Sequence, residues 1–227
     1  MDTHHRFSLR SLRKRIRGLL AGSRFDEAMA EVSALPGRKA VNPIIGLFCD
    51  REDLIRWRAV SAFGVVVGDL ADTDMESARV VMRRLMWMLN DESGGIGWGA
   101  PEAMGEAAAR HAGIAAEYGG ILVSYLREDC NFLEHEGLQR GLLWGVGRYT
   151  HARPDQTAFI GPLLIPFLSS ADPYHRGLAV WAIRAWNGPG SKDLLDPLRA
   201  DSSSLVFYSN GRLHDVTVGQ MASGVHS

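Results

Sequence analysis

Trp98-Gly99-Ala100-Pro101-Glu102-Ala103-Met104-Gly105 decides the fold, because the way this stretch opens recurs three more times in the chain. The other copies are Trp57-Arg58-Ala59-Val60, His135-Glu136-Gly137-Leu138 and His175-Arg176-Gly177-Leu178. In chain order their first residues lie 41, 37 and 40 positions apart. Each copy is a ring, a polar or small residue, a small residue and an apolar one. Each follows a turn-like stretch and opens an apolar-periodic segment. A period of about 40–47 residues of this kind marks a solenoid of stacked helical pairs. No single repeat buries its own apolar face, so the core is a continuous strip between neighbours.

The segments around these copies fit helical pairs. Asn42-Pro43 reads as an N-cap followed by proline at the first helical position. Ile44, Ile45, Leu47 and Phe48 make that helix apolar, Asp50 to Asp53 turn, and 54–68 form the second helix. The next repeat runs from Asp74 through Val80, Val81, Leu85, Met88 and Leu89, turns from Asn90 to Gly99, and re-enters helix with Pro101 in its first turn. The third has helices near 114–127 and 133–150. In the fourth, Pro162 and Pro166 shorten or kink the first helix, since each removes a backbone donor and crowds the preceding turn. Asp172-Pro173 opens the second. Leu205 to Tyr208 and Arg212 to Val216 flank Ser209-Asn210-Gly211, which predicts a β-hairpin with an Asn-Gly turn. Thr217 is placed to cap a short last helix.

Seven bases, Arg6, Arg10, Arg13, Lys14, Arg15, Arg17 and Arg24, occur in residues 6–24 without an acidic residue. Leu9, Leu12, Ile16 and Leu19-Leu20 fall among them at helical spacing, giving a basic amphipathic helix. Terminal repeats need a polar outer face, so this helix reads as a cap over the first repeat. Contact with nucleic acid, an acidic protein or a membrane surface is its other use. Residues 1–38 are therefore expected to form N-terminal cap helices, and 39–227 four to five repeats ending in the hairpin and short helix.

The 227 residues are 46% hydrophobic with a formal net charge of −1, which removes any whole-molecule attraction for nucleic acid or anionic membrane. Cys49 and Cys130 are too few for a disulfide framework. The N-terminus carries charge where a secretory signal has an apolar core, and no run approaches about 18 uncharged apolar residues. Reduced thiols and a cytoplasmic location are expected.

Trp98 to Gly105 resembles the second-helix signature of HEAT-like repeats of the phycobilisome-lyase type, often written His-Glu-Ala-Ala-Glu-Ala-Leu-Gly. Ala59, Ala62, Phe63 and Gly64 keep the same frame in the first copy, and His214 to Ala222 resembles the hairpin-then-helix ending of some of these repeats. The likeness spans roughly residues 40–222. It implies an all-α, right-handed α-α superhelix with a small C-terminal β-hairpin, and it implies almost nothing about activity. Deoxyhypusine hydroxylase, a HEAT-like enzyme, holds di-iron with four His-Glu pairs. Here only His135-Glu136 is such a pair, and Arg58 and Arg176 at matching places would repel a cation. No motif selects a tetrapyrrole, and no cofactor is expected. The HEAT-like alkylpurine glycosylases would need a basic concave surface, whereas the repeat edge here is mixed in sign.

Stacked repeats bring the ring positions into a row about 10 Å apart. The row is Trp57 and Arg58, Trp98 with Glu102 and Glu106, His135 and Glu136 with Arg140, and His175 and Arg176. Its expected use is non-catalytic recognition of a protein or peptide, with Trp57 and Trp98 as apolar anchors and the charges setting orientation. The alternative is a metal- or cofactor-dependent site in which His135 joins Glu102, Glu106 or Glu136. Ion pairs from Glu102 or Glu136 to Arg140 or Arg176 compete with that. Gly95, Gly97 and Gly99 precede a helix start, where free backbone donors favour an anion, but a turn needing positive φ at several places is the favoured reading of them. Trp144, Trp181 and Trp186 sit at helical spacing with leucines and read mainly as core. His111 and His151 read as helix-end residues.

Overall fold

A computed structural model of the chain describes residues 9–90 and 97–224. Four long helices, α4 (Asp53–Thr73), α6 (Ala100–Arg110), α8 (Glu136–Ala152) and α10 (Pro173–Trp186), stack in chain order. They are the second helices of the repeats. The first helices α3 (Gly37–Ile45), α5 (Met75–Asn90) and α7 (Ala112–Ser124) pack outside them, α3 on α4, α5 on α4 and α6, and α7 on α6 and α8. The fold is a mostly helical repeat solenoid with a small C-terminal hairpin.

Tight stacking of the second helices requires their glycines. A Cβ on Gly105 would overlap the backbone of Gly145, and one on Gly145 would stand 2.5 Å from the Pro101 carbonyl oxygen. Gly145→Ala therefore forces α6 and α8 apart. Overpacking costs about 2–3 kcal/mol, offset by about 1 kcal/mol of helix propensity. A net loss of about 1–2 kcal/mol is expected in urea unfolding.

Helix α1 (Leu9–Ala21) buries Leu12, Ile16 and Leu20 and packs on α3. Part of its basic face turns inward. The Arg13 guanidinium donates to the Gly46 carbonyl at 2.7 Å, and Arg17 pairs with Asp50 at 2.8 Å and Glu52 at 2.7 Å. Arg17 holds the Asp50 carboxyl below the usual carboxylate range. Helix α2 (Phe25–Ser33) lies against α4.

One helix boundary differs from expectation. Helix α3 starts at Gly37 with Pro36 as N-cap, and Pro43 lies inside it, so the expected boundary between 38 and 39 falls within this helix. Amides of Lys39 and Ala40 both donate to the Pro36 carbonyl, which sets the first turn upstream of Asn42-Pro43. The fourth repeat's first helix is reduced to α9 (Gly161–Leu164) and a 3-10 turn over Ile165–Ser169, as its prolines require.

After α10 comes the short helix α11 (Ser191–Leu195), then β1 (Ser204–Ser209) and β2 (Arg212–Thr217), antiparallel with Ser209 opposite Arg212. Asn210 (φ 47°) and Gly211 (φ 75°) make the turn, both with positive φ. Thr217 and Gln220 form a reciprocal capping box at the start of α12 (Val218–Ser223). Among the described residues, no helix is long and apolar enough to cross a membrane.

Candidate functional site

The hairpin does not hang off the end of the solenoid. Strand β1 lies across the second helices. Tyr208 shares a 2.8 Å hydrogen bond with Ser61 of α4, and its carbonyl accepts from the Trp144 indole of α8 at 3.1 Å. Phe207 meets Trp181 of α10 edge to face, with centroids 4.9 Å apart. Trp57 stacks on Tyr208 at 5.2 Å and lies 4.9 Å from Trp144. Two cavities result, with Trp144 and Tyr208 as their common wall.

The first cavity, about 480 Å³, is walled by Trp57, Trp98, Trp144, Tyr174 and Tyr208 and contains Glu102. Glycines on α8 admit Trp98, just before α6, and Glu102 in its first turn. A Cβ on Gly137 would come 2.8 Å from the Trp98 ring, and one on Gly141 would overlap the Glu102 carboxyl. Residues 137 and 141 are one helical turn apart, so they form a slot for the first turn of α6. Gly99, with φ 75°, caps that helix and closes against Phe48.

Glu102 is the unusual group. Among the described residues its Oε2 is the one buried side-chain oxygen or nitrogen without a hydrogen-bond partner. Burial pushes its carboxyl up from 4.5 to about 7, against smaller opposing pulls from its own backbone N–H and from Arg56. The two arginines lining the cavity are already engaged. Arg56 pairs with Asp53 at 2.5 Å. Arg140 pairs with Asp172 at 2.6 Å and lies 4.5 Å above the Tyr174 ring. What remains is a proton-hungry oxygen inside an aromatic box, a setting that favours a donor carrying positive charge.

The expected row divides. Trp57, Trp98, Glu102 and Arg140 meet in the first cavity. Arg58 turns away from it, 6% exposed, and donates to the carbonyls of Gly211, Leu20 and Gly22. Arg176 is bound to Asp201 at 2.8 Å and to the carbonyls of Ser170 and Ala171, and it holds the Asp201 carboxyl down at about 2. Both arginines are framework ties and leave the surface, because their guanidiniums are spent on the chain's own acceptors. His135 caps α8, accepting from the Gly137 amide at 3.1 Å, and meets the Trp98 ring edge on. Glu136 and the buried His175 line a separate surface depression with Phe167 and Ser170.

Glu106, 2% exposed, belongs to the second cavity, held between Arg110 and Arg148. The alternative metal cluster of Glu102, Glu106, His135 and Glu136 is thus split over three environments. Among the described residues no group of three or more His, Cys, Asp or Glu side chains could hold a metal. Of the glycines expected to favour an anion, Gly95 lies outside the described residues. Gly97 and Gly99 are explained by close packing on the Met88 carbonyl and on Phe48.

Sequence reasoning missed the hairpin's part in the site. Tyr208, Tyr174 and Trp144 build the walls; the glycine series 137, 141 and 145 marks where α8 closes on Trp98, Pro101 and Glu102, but no local signal marks the wall residues.

No family model and no curated protein matches this chain. Solved structures do. A designed armadillo repeat protein superposes with a TM-score of 0.50 at 15% identity, over 92% of this chain and 96% of that one. Another, in complex with the peptide (KR)4, gives 0.48 at 16% identity, over 83% and 92%. A third, from computationally designed armadillo repeat proteins for modular peptide recognition, gives 0.48 at 16%, over 92% and 96%. At these identities the likeness is one of fold.

Proposed function

We propose that the chain is a non-catalytic recognition protein of the HEAT-like, phycobilisome-lyase repeat type, whose first cavity receives one basic side chain of a partner peptide or protein. The observation that carries this reading is Glu102 Oε2, unpartnered and out of contact with solvent inside aromatic walls. An ammonium or guanidinium entering the cavity would give that oxygen its missing donor and would face the rings of Trp57 and Trp98. The neutralised state of Arg56 and Arg140 supports the same reading, since neither guanidinium carries an unbalanced charge into the cavity.

The hairpin narrows the choice of ligand. Strand β1 crosses α4, α8 and α10 and covers that face of the second helices, so the site beside it is suited to a single projecting side chain. A volume of about 480 Å³ is within the usual range for a small-ligand pocket. Selection from a random peptide library at pH 8 tests the reading, run in parallel with Glu102→Gln. The native protein is expected to enrich lysine or arginine at one fixed position. The variant is expected to lose that enrichment and bind the selected peptides about tenfold or more weakly. Identical selections from both proteins would overturn it.

A further inference from the structure

We infer that the second cavity is a carboxylate-binding site, distinct in its charged groups from the first although the two share the Trp144 and Tyr208 wall. It measures about 430 Å³ and is lined by Arg110 and Arg148, by the rings of Phe25, Trp144, Trp181 and Phe207, and by the hairpin turn. Its centre is an ion triad. Glu106 Oε1 accepts from Arg110 Nε at 2.6 Å, and Oε2 accepts from Arg148 Nε at 2.6 Å. The triad needs a special packing arrangement, because a Cβ on Gly64 of α4 would overlap Glu106 and come 3.1 Å from Arg110.

Charge and geometry give the ligand class. Two guanidiniums share one carboxylate, so the cluster keeps one positive charge, and a single added carboxylate neutralises it. Each arginine spends only its Nε on Glu106. The Nη groups, the terminal fork that grips a carboxylate bidentately, make no hydrogen bond within the described residues. Both side chains remain about one-third exposed, at 35% and 31%, while Glu106 beneath them is sealed. A ligand anion therefore meets the two forks before it meets the buried carboxylate that orients them. His151, stacked on Trp181 at 4.7 Å, and the aromatic walls give the ligand's body an apolar bed. The favoured ligand is thus a carboxylate joined to an apolar or aromatic group, either a small organic acid or an acidic residue of a peptide.

Phenylacetate titrated against the 15N-labelled full chain tests the assignment, read at the arginine Nε–H and tryptophan indole resonances. Expected are saturable shifts at Arg110, Arg148 and Trp181, with none for phenylethylamine, which has a similar ring and the opposite charge. Arg148→Lys keeps a cation beside Glu106, so the fold is preserved, but it removes one fork. Affinity should fall about tenfold or more. Trp87→Ala, on the exposed face of α5 and outside both cavities, should leave it unchanged. An acetylated, amidated peptide carrying one Glu-Phe pair separates the two sources: binding tighter than phenylacetate assigns the site to a peptide, weaker binding to a small acid. Equal binding of acid and amine, an unchanged affinity in Arg148→Lys, or absence of saturable shifts for both acids would overturn the proposal.

Discussion

Arg58→Ala is expected to destabilise the chain by about 4 kcal/mol and to release the hairpin before the solenoid unfolds. This one buried guanidinium joins three segments far apart in sequence. It donates to Leu20 at 2.7 Å in the last turn of α1 and to Gly22 at 2.5 Å just beyond it, and to Gly211 at 2.9 Å in the hairpin turn, with the centre of the Phe25 ring 5.7 Å away. Hydrogen bonds from a charged donor are worth about 1.5–3 kcal/mol each, and removing the donor leaves carbonyls in a space the alanine does not fill. Lysine is no substitute, because one ammonium on a flexible stem cannot span acceptors placed for a planar fork. Urea unfolding measures the loss. Hydrogen exchange locates it, since amides of β1 and β2 should lose protection ahead of those in α6 and α8. A change under about 1 kcal/mol would mean that the aromatic wall alone holds the hairpin.

The same residue shows where sequence reasoning stops. Arg58 occupies the position one after the ring in the first copy, as Arg176 does in the fourth, so periodicity assigns both to the row. Periodicity reports which face of a helix a residue occupies, and it is blind to what lies opposite that face. Here the chain's own terminus lies opposite. The hairpin was legible from Asn210-Gly211, and the short helix from Thr217, because turn and cap chemistry is local. Its folding back across α4, α8 and α10 is a long-range event with no local signature. The repeat register was legible because helix-to-helix packing is repeated and leaves a periodic trace. Trp57, Trp98, Glu102 and Arg140 were found together for that reason, while Tyr174, Tyr208 and the cavity role of Trp144 were not.

Glu102→Gln is expected to stabilise the unliganded protein by about 2–3 kcal/mol at pH 8 and by almost nothing near pH 4. An unfolded glutamate releases its proton near 4.5, whereas the folded Glu102 keeps it up to about 7. Between those values the native state binds more protons than the unfolded state, so native stability falls as pH rises across the window, and the loss is complete above about 7. Glutamine carries no charge at any pH and escapes the penalty. Thermal or urea midpoints of the two proteins should therefore coincide in acid and separate progressively toward pH 8. Parallel curves at every pH would show that the carboxyl is not held neutral by the fold. A basic ligand should reverse the order. Pairing with the ionised carboxylate removes the cost that the empty-handed oxygen imposes, so affinity for a lysine-bearing peptide should rise as pH climbs through about 7, about tenfold for each proton-linked pH step below it. A residue that costs stability when unoccupied, and returns it on binding one charge type, behaves as a receptor group. A residue kept for packing would show the first effect without the second.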